Sequence, residues 1–381
     1  LKKEGIILSI YLDNAATTAQ KPKVVAEAMT EILTGEYGNP SRGAHGYSLA
    51  GFRVAEKARN QVKELFNADQ RYEVAFTNNA TVSLNEVLKG LIQPGDHVVT
   101  TSWEHNSVLR PLYQLEAQGA RFDVISSEAV TGRLNYQEFA EKVRSETKAV
   151  VCNHASNVTG NLLDLEWVKD FCTERGLYLI IDASQTAGVV PIDLSDGKIS
   201  ALCFTGHKSL YGPQGTGGVC LRKDLPLEPV LTGGDGMQSF SKVQPKELPT
   251  LLEAGTMNIP GIAGLTASLQ WLKDREPSEK LGAYFYQELQ TIEGLTIYGD
   301  FTGPRVDVFS LNIKDAESAI VSDLLWEEYQ IATRPGYHCA PLMHEALGTA
   351  DRGTVRLSFS SFTTKAEVDK TLAAIKNLAL R

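Results

Sequence analysis

Two hydrophobic rhythms run along the chain, and they divide it. From Pro22 the apolar positions Val24, Val25, Ala28, Met29, Ile32 and Leu33 keep helical spacing, after a proline suited to a first helical turn. Residues 35–46 are rich in Gly, Asn, Pro and Ser and read as a loop, with Ser48 placed to cap a helix over 49–66. Short apolar runs and helical patterns then alternate. The runs are Val74–Phe76, His97–Val99, Phe122–Ile125, Ala149–Cys152, Leu177–Ile181, Ser200–Phe204 and Gly218–Leu221. Helices are expected between them over 82–91, 108–117, 136–143 and 165–172. Strands separated by helices imply right-handed crossovers and a mostly parallel sheet covered on both faces.

After Gly255 the spacing lengthens. Helices over 262–272 and up to Leu289, a strand at 295–297, another at 306–313, a helix over 317–329, a strand at 355–359 and a helix over 365–378 suggest a smaller α/β unit. The N-terminal run Gly5–Leu12 reads as a strand that joins this unit. The expected division is a large domain over 16–260 and a small one from 1–15 and 261–381. Residues 233–249 form the most loop-like stretch.

Composition narrows the function classes. The 381 residues are 43% hydrophobic and 22% charged, as in ordinary globular proteins. A net charge of −9 speaks against nucleic-acid or membrane-surface binding, and no apolar run approaches the roughly 20 residues that span a bilayer. Lys2-Lys3 before an apolar stretch faintly mimics a secretory leader. Glu4 interrupts the basic part and Asp13-Asn14 sit where cleavage would fall, so a cytoplasmic protein is expected. The five cysteines lack any CxxC spacing, which argues against a disulfide framework and against a zinc site; no metal is expected. Cys152, Cys172, Cys203 and Cys220 lie in apolar patterns and read as core residues. Cys339 lies among Arg334, Pro335, Gly336 and His338, a loop in which Arg334 and His338 are placed to favour a thiolate.

In parallel sheets ligands bind beyond the carboxyl ends of the strands. Those ends carry Thr77–Thr81, Trp103–Asn106, Asn153–Asn157, Asp182–Gln185 and Thr205–Lys208. Each alone fits a helix cap or a turn; five converging on one edge fit a polar ligand. A lysine on a tight turn between buried strands is desolvated, which lowers its pKa and frees its lone pair to condense with a carbonyl. Pyridoxal 5′-phosphate would need such a lysine (Lys208) and a carboxylate at its ring nitrogen (Asp182). It would also need a flat partner for the ring (His105) and donors at a helix N-terminus for the phosphate (Ala80 and Thr81, with Thr205 and His207). Gln185 or Asn157 would sit near the ring oxygen. Neither a G-x-G-x-x-G after the first strand nor a G-x-x-x-x-G-K-[ST] run occurs.

The stretches Tyr11–Thr18, Glu104-His105, Asp182–Gln185, Thr205–Lys208 and Glu253–Thr256 resemble class V aminotransferase-fold enzymes, most nearly cysteine desulfurases and selenocysteine lyases. The resemblance runs from about Tyr11 to the last helix. It implies the α/β fold type I of PLP-dependent transferases, with a mostly parallel seven-stranded sheet in the large domain and a smaller α/β domain. It also implies a homodimer, with Thr256 reaching the phosphate of the other subunit. Lys208 would bond the cofactor, His105 stack on it, and Arg356 clamp the substrate carboxylate, with Asn14 and Arg42 lining the substrate cavity. The short loop around Cys339 is similar to that of group II desulfurases, although Tyr337 stands where the family often has histidine. The implied activity converts L-cysteine to L-alanine and leaves the sulfur on Cys339 as a persulfide, for release to a thiol or an acceptor protein. Alternatives are a selenocysteine lyase, another class V aminotransferase or β-lyase, and, further off, a non-catalytic PLP-fold scaffold.

Overall fold

The computed structural model describes residues 9–40, 43–234, 236, 238–276 and 279–381. The first part of the expected N-terminal strand therefore lies outside the described residues, as does Arg42. Strand β1 (Ile10–Tyr11) is followed by helices α1 (Lys23–Thr34) and α2 (Gly46–Leu65). Strand and helix then alternate through β2 (Tyr72–Thr77), α3 (Ala80–Leu91), β3 (His97–Thr101), α4 (Asn106–Glu116), β4 (Arg121–Ile125) and α5 (Gln137–Lys142). They continue with β5 (Thr147–Asn153), α6 (Leu165–Glu174), β6 (Tyr178–Asp182), β7 (Ala201–Thr205) and β8 (Gly217–Arg222). The rest of the chain holds α7 (Ile259–Asp274), α8 (Gly282–Leu289), β9 (Leu295–Tyr298), β10 (Val308–Ile313), α9 (Ser318–Tyr329), β11 (Ile331–Ala332), α10 (Pro341–Ala346), β12 (Val355–Ser358) and α11 (Lys365–Ala379).

Seven strands form the main sheet in the order β2-β8-β7-β6-β5-β3-β4. All pairings are parallel except the two made by β8, which runs antiparallel to both β2 and β7. The central strands β5, β6 and β7 are apolar on both faces because helices cover both. Two clusters result, one containing Val150, Ile181 and Phe204, the other Ala149, Ile180 and Cys203. Burying a side chain the size of Phe204 contributes about 2 to 3 kcal/mol. Cys152, Cys172, Cys203 and Cys220 are all buried, whereas Cys339 is exposed.

A separate antiparallel sheet, β12-β10-β9, packs with α8, α9 and α11 around Phe285, Phe309 and Leu357. The expected N-terminal strand joins this side of the molecule, since β1 pairs in parallel with β11. Helix α7, counted from Gly261 with the smaller unit by its sequence, instead packs on α1 and α2, and its Ile262, Leu265 and Leu269 enter the same cluster as Phe204. The start of α2 also departs from expectation. His45 caps it by accepting from Ser48 N–H, while the Ser48 hydroxyl turns back to the carbonyl of Asn39. Glycine at 46 extends that helix three residues earlier than the apolar pattern indicates.

Candidate active site

The lysine turn is built by glycines and closed from the N-terminus. Strand β7 is buried along its whole length and ends at Thr205, directly before Gly206-His207-Lys208. A Cβ at Gly206 would fall 2.1 Å from Thr216 Oγ1, and one at Gly217 would fall 2.7 Å from Asn79 Cα. Only glycine lets the turn, β8 and the start of α3 lie in backbone contact. The His207 carbonyl oxygen accepts from Thr18 N–H (3.1 Å), the hydroxyls of Thr17 (3.2 Å) and Thr18 (3.1 Å), and the Lys21 ammonium (2.7 Å). Burial pushes Lys21 down to about 8. Lys208 is likewise pushed down to about 8, by burial above all; Asp182 opposes the shift, and Arg356 and Arg334 add to it.

A cavity of about 200 Å³ opens at this lysine. It is lined by Lys208, Ala80, Thr81, His105, Asn157, Asp182, Gln185, Thr205 and His207. The strand-end residues singled out by sequence thus meet in one place, because they close β2, β3, β5, β6 and β7 at the same edge of the sheet. Asp182 ends β6 with its Oδ1 held by Ser184 N–H (2.9 Å) and Ser184 Oγ (2.5 Å), which aims the carboxylate. His105 caps α4 by accepting from Ser107 N–H at Nδ1 (3.0 Å), so its Nε2 carries the proton of the neutral ring. Burial, then the Lys208 charge, push His105 down to about 4. His207 is also lowered to about 4, by burial first. At α3, Asn79 caps by accepting from Val82 N–H (3.0 Å), and Ala80 and Thr81 follow at the helix start, where main-chain N–H groups lack helical partners.

The residues present fit pyridoxal 5′-phosphate. Thr205 Oγ1, Asn157 Oδ1 and Asn153 Oδ1 are buried beside the cavity with no partner among the described residues. Buried polar atoms are rarely left unmatched, so an orphaned hydroxyl and two orphaned amide oxygens point to a polar ligand. Asp182 suits a pyridinium, the neutral His105 ring suits a flat aromatic, and the start of α3 suits a phosphate.

Substrate-side residues lie on the neighbouring elements. Arg356, on β12, is only 2% exposed. Its Nη2 donates to Asp13 Oδ1 (2.9 Å), its Nη1 to the Asn157 carbonyl (3.1 Å), and its Nε is buried without a partner among the described residues. Burial lowers its pKa, Asp13 partly offsets that, and Arg334 adds to the lowering. Arg334 Nη1 lies 3.7 Å from the other Asp13 oxygen. Asn14 donates to Tyr11 and Ser358 carbonyls and lines an adjoining cleft of about 500 Å³ that shares Gln185 with the lysine cavity. Thr256 is exposed and lines a different cavity, beyond the start of α3, so a single chain does not bring it to Lys208. One expectation is overturned. His338 does not supply charge to Cys339: its buried ring is engaged with His344 and the Arg334 carbonyl, and burial holds its pKa well below the usual value.

Several contributors carry no signal in the sequence. Ser107 joins His105 to Thr81, with its hydroxyl 2.8 Å from His105 Nδ1 and 2.7 Å from Thr81 Oγ1. Asp13 and Lys21 sit within or beside the Tyr11–Thr18 motif, but nothing local shows what they contact across the fold. Glu104 is fully buried, accepts from Thr101 Oγ1 (2.6 Å) and Asn153 N–H (2.9 Å), and is pushed up to about 8 by burial. Among the described residues no group of His, Cys, Asp and Glu is arranged to hold a metal ion, and no helix is long and apolar enough to cross a membrane.

The sequence matches the family Aminotransferase class-V over residues 10–371. It is 33% identical over 386 residues to the cysteine desulfurase IscS of Vibrio campbellii, covering 97% of this chain and 92% of that one. A cysteine desulfurase of Haloferax volcanii is 32% identical over 382 residues, covering 96% and 88%. Among solved structures, the apo cysteine desulfurase of Thermococcus onnurineus NA1 superposes with a TM-score of 0.87 at 30% identity, covering 98% of this chain and 95% of that one.

Proposed function

The chain belongs to the class-V aminotransferase family, among its cysteine desulfurases, and on that premise we propose that it converts L-cysteine to L-alanine and takes up the sulfur on Cys339. The observation that carries this reading is the seat of Cys339. It is exposed, and its carbonyl accepts from the N–H of Asn106 (2.7 Å), the residue after His105. The carbonyl of the preceding His338 accepts from Asn157 Nδ2 (2.7 Å). Asn157, which lines the lysine cavity, and Asn106, next to the lining residue His105, therefore hold the backbone of the one exposed cysteine among the described residues.

Lys208 would hold pyridoxal 5′-phosphate. Asp182 would pair with the ring nitrogen, His105 cover the ring, and Gln185 and Asn157 meet the ring oxygen. Ala80, Thr81, Thr205 and His207 would bind the phosphate, with Thr256 contributed across a homodimer. When bound, the cofactor supplies a carbonyl for the substrate amine and an electron sink for the pair released at Cα. Arg356 binds the substrate carboxylate, using the Nε that has no partner among the described residues. Asp13 already occupies one of its Nη groups, so the carboxylate enters beside Asp13. The Lys208 amine, neutral in part at physiological pH, takes the Cα proton and returns it. The Cys339 sulfur attacks the substrate sulfur. The carbon–sulfur bond breaks, a sulfur–sulfur bond forms, and the bonding pair passes to the substrate carbon, which is protonated to give alanine. The balance is L-cysteine plus Cys339 thiol giving L-alanine plus Cys339 persulfide.

The test is production of alanine and sulfide from L-cysteine in the presence of a reductant, run beside Cys339→Ala. Equal amounts of both products, lost in the variant, are expected. No alanine from the cofactor-loaded wild type would overturn the reading.

A further inference from the structure

Behind Cys339 lies a chain of side chains that the reaction itself does not use. His338 Nε2 is 3.0 Å from the Arg334 carbonyl oxygen, His338 Nδ1 is 3.3 Å from His344 Nε2, and His344 Nδ1 is 2.7 Å from Thr349 Oγ1. A carbonyl oxygen can only accept, so His338 carries its proton on Nε2 and presents a lone pair at Nδ1. His344 must then donate from Nε2 and accept at Nδ1 from the Thr349 hydroxyl. Every link has one polarity, and each ring has one tautomer. Both histidines are buried, at 5% and 1% exposure, and burial lowers His344 to about 4, in keeping with two neutral rings. The rings stack at 5.4 Å between centroids, and Tyr337 packs edge-on against His344 at 5.6 Å.

The chain ends on an unusual turn. His338 and Cys339 have φ of 50° and 57°, two consecutive left-handed residues with no glycine at either position. Their carbonyls are fixed by Asn157 and Asn106. The turn is closed by Ala340 N–H donating to the Tyr337 carbonyl (2.9 Å), and on the side away from the cavity the His338 ring anchors it through two bonds, to the Arg334 carbonyl and to His344 on α10. We propose that His344, acting through His338, is the positioning residue that sets where the Cys339 thiol stands. Without the His344 donor the His338 lone pair is buried and unmatched and the ring is left on its single bond to the Arg334 carbonyl, about which it turns, and the left-handed pair relaxes. A displacement of about 1 Å at a reacting atom costs on the order of a hundredfold in rate. The inference rests on Cys339 as sulfur acceptor, but not on which substrate delivers the sulfur.

The experiment compares cofactor-loaded wild type, His344→Leu and His344→Gln, the glutamine amide offering an N–H close to the position of Nε2. Three quantities are read: alanine formed from L-cysteine, exchange of the Cα proton of L-alanine in deuterium oxide by NMR, and single alkylation of Cys339 by iodoacetamide by intact mass. The other four cysteines are buried, so alkylation reports Cys339. His344→Leu is expected to lower alanine formation at least tenfold and to change the alkylation rate at least threefold. Exchange, which needs Lys208 but no thiol, is expected to stay within twofold of wild type. His344→Gln is expected to restore the first two to within threefold. Unchanged alkylation in His344→Leu overturns the proposal, and so does loss of exchange in step with sulfur transfer, which would mark a general packing role. If wild type forms no alanine, the desulfurase reading falls by itself, and the alkylation rates of the two variants still decide this one.

Discussion

The reactivity of Lys208 should follow a titration near neutrality. Burial pushes its ammonium down to about 8, against a reference of about 10.4 for an ordinary lysine. At pH 7 about a tenth of Lys208 is then neutral, against roughly 4 in 10,000 for the reference, a gain on the order of a hundredfold in reactive amine. Capture of pyridoxal 5′-phosphate by the apoprotein should rise about tenfold per pH unit up to about pH 8 and level off above it. The assay follows the visible absorption of bound cofactor after mixing, from pH 6 to 10, beside Nα-acetyl-lysine as a reference that shares the cofactor's own ionisations. The sign has an internal check. Asp182 is the group that opposes the shift, so Asp182→Asn should move the plateau to lower pH. A capture rate that climbs to pH 10 in parallel with acetyl-lysine would refute the reasoning, because it would mean that burial does not govern this amine.

Other outcomes rest on single contacts. Thr205→Val keeps the branched shape and removes a hydroxyl that is buried without a partner among the described residues, so the apoprotein should melt no lower than wild type. Its cofactor dissociation constant should nonetheless rise about tenfold, the equivalent of one hydrogen bond of about 1.4 kcal/mol. Glu104 has its folded-state pKa raised to about 8, so between about pH 4.5 and 8 the folded state binds more protons than the unfolded one and stability falls as pH rises. Glu104→Gln removes that slope, and urea titrations should show it gaining on wild type by up to about 1.4 kcal/mol per pH unit across that window. Gly217→Ala places a Cβ 2.7 Å from Asn79 Cα and 2.8 Å from the Phe204 carbonyl. It should cost about 1 to 3 kcal/mol in stability and weaken cofactor binding by displacing the start of α3; unchanged binding would mean that the helix start is not part of the phosphate site.

Much of this site is legible in the sequence because a parallel sheet converts sequence order into position. Each strand end delivers its next few residues to one edge, so Thr81, His105, Asn157, Asp182 and Lys208 emerge once the apolar runs are located and the polar residues after each run are inspected. Contacts made sideways across the fold leave no such trace. Asp13 follows β1 and Arg356 lies on β12, and they meet only because Asp13 bridges Ser358 at the end of β12. Ser107 looks like any serine after a helix cap until Thr81 arrives from α3. The role expected of His338 fails for a related reason: proximity to Cys339 in the chain says nothing of where the ring points, and the left-handed backbone turns it inward. Helix α7 is grouped by its place after Gly255, whereas its apolar face answers to α1 and α2.

The N-terminal segment has a consequence for the order in which the molecule is completed. Lys208, Asp182 and the cavity-lining Ala80, Thr81, Thr205 and His207 all lie before Gly212, as do Thr17, Thr18 and Lys21, which clasp the His207 carbonyl. That clasp is itself held from far downstream: β1 by β11, Asp13 by Arg356, and Asn14 and Ala15 by Ser358. On a ribosome the lysine turn would thus be synthesised early and latched late, after residue 358 has left the exit tunnel. Cofactor capture should report arrival of the C-terminal third of the chain, and nascent chains stopped before β12 should bind cofactor poorly although every residue that lines the lysine cavity has already been made.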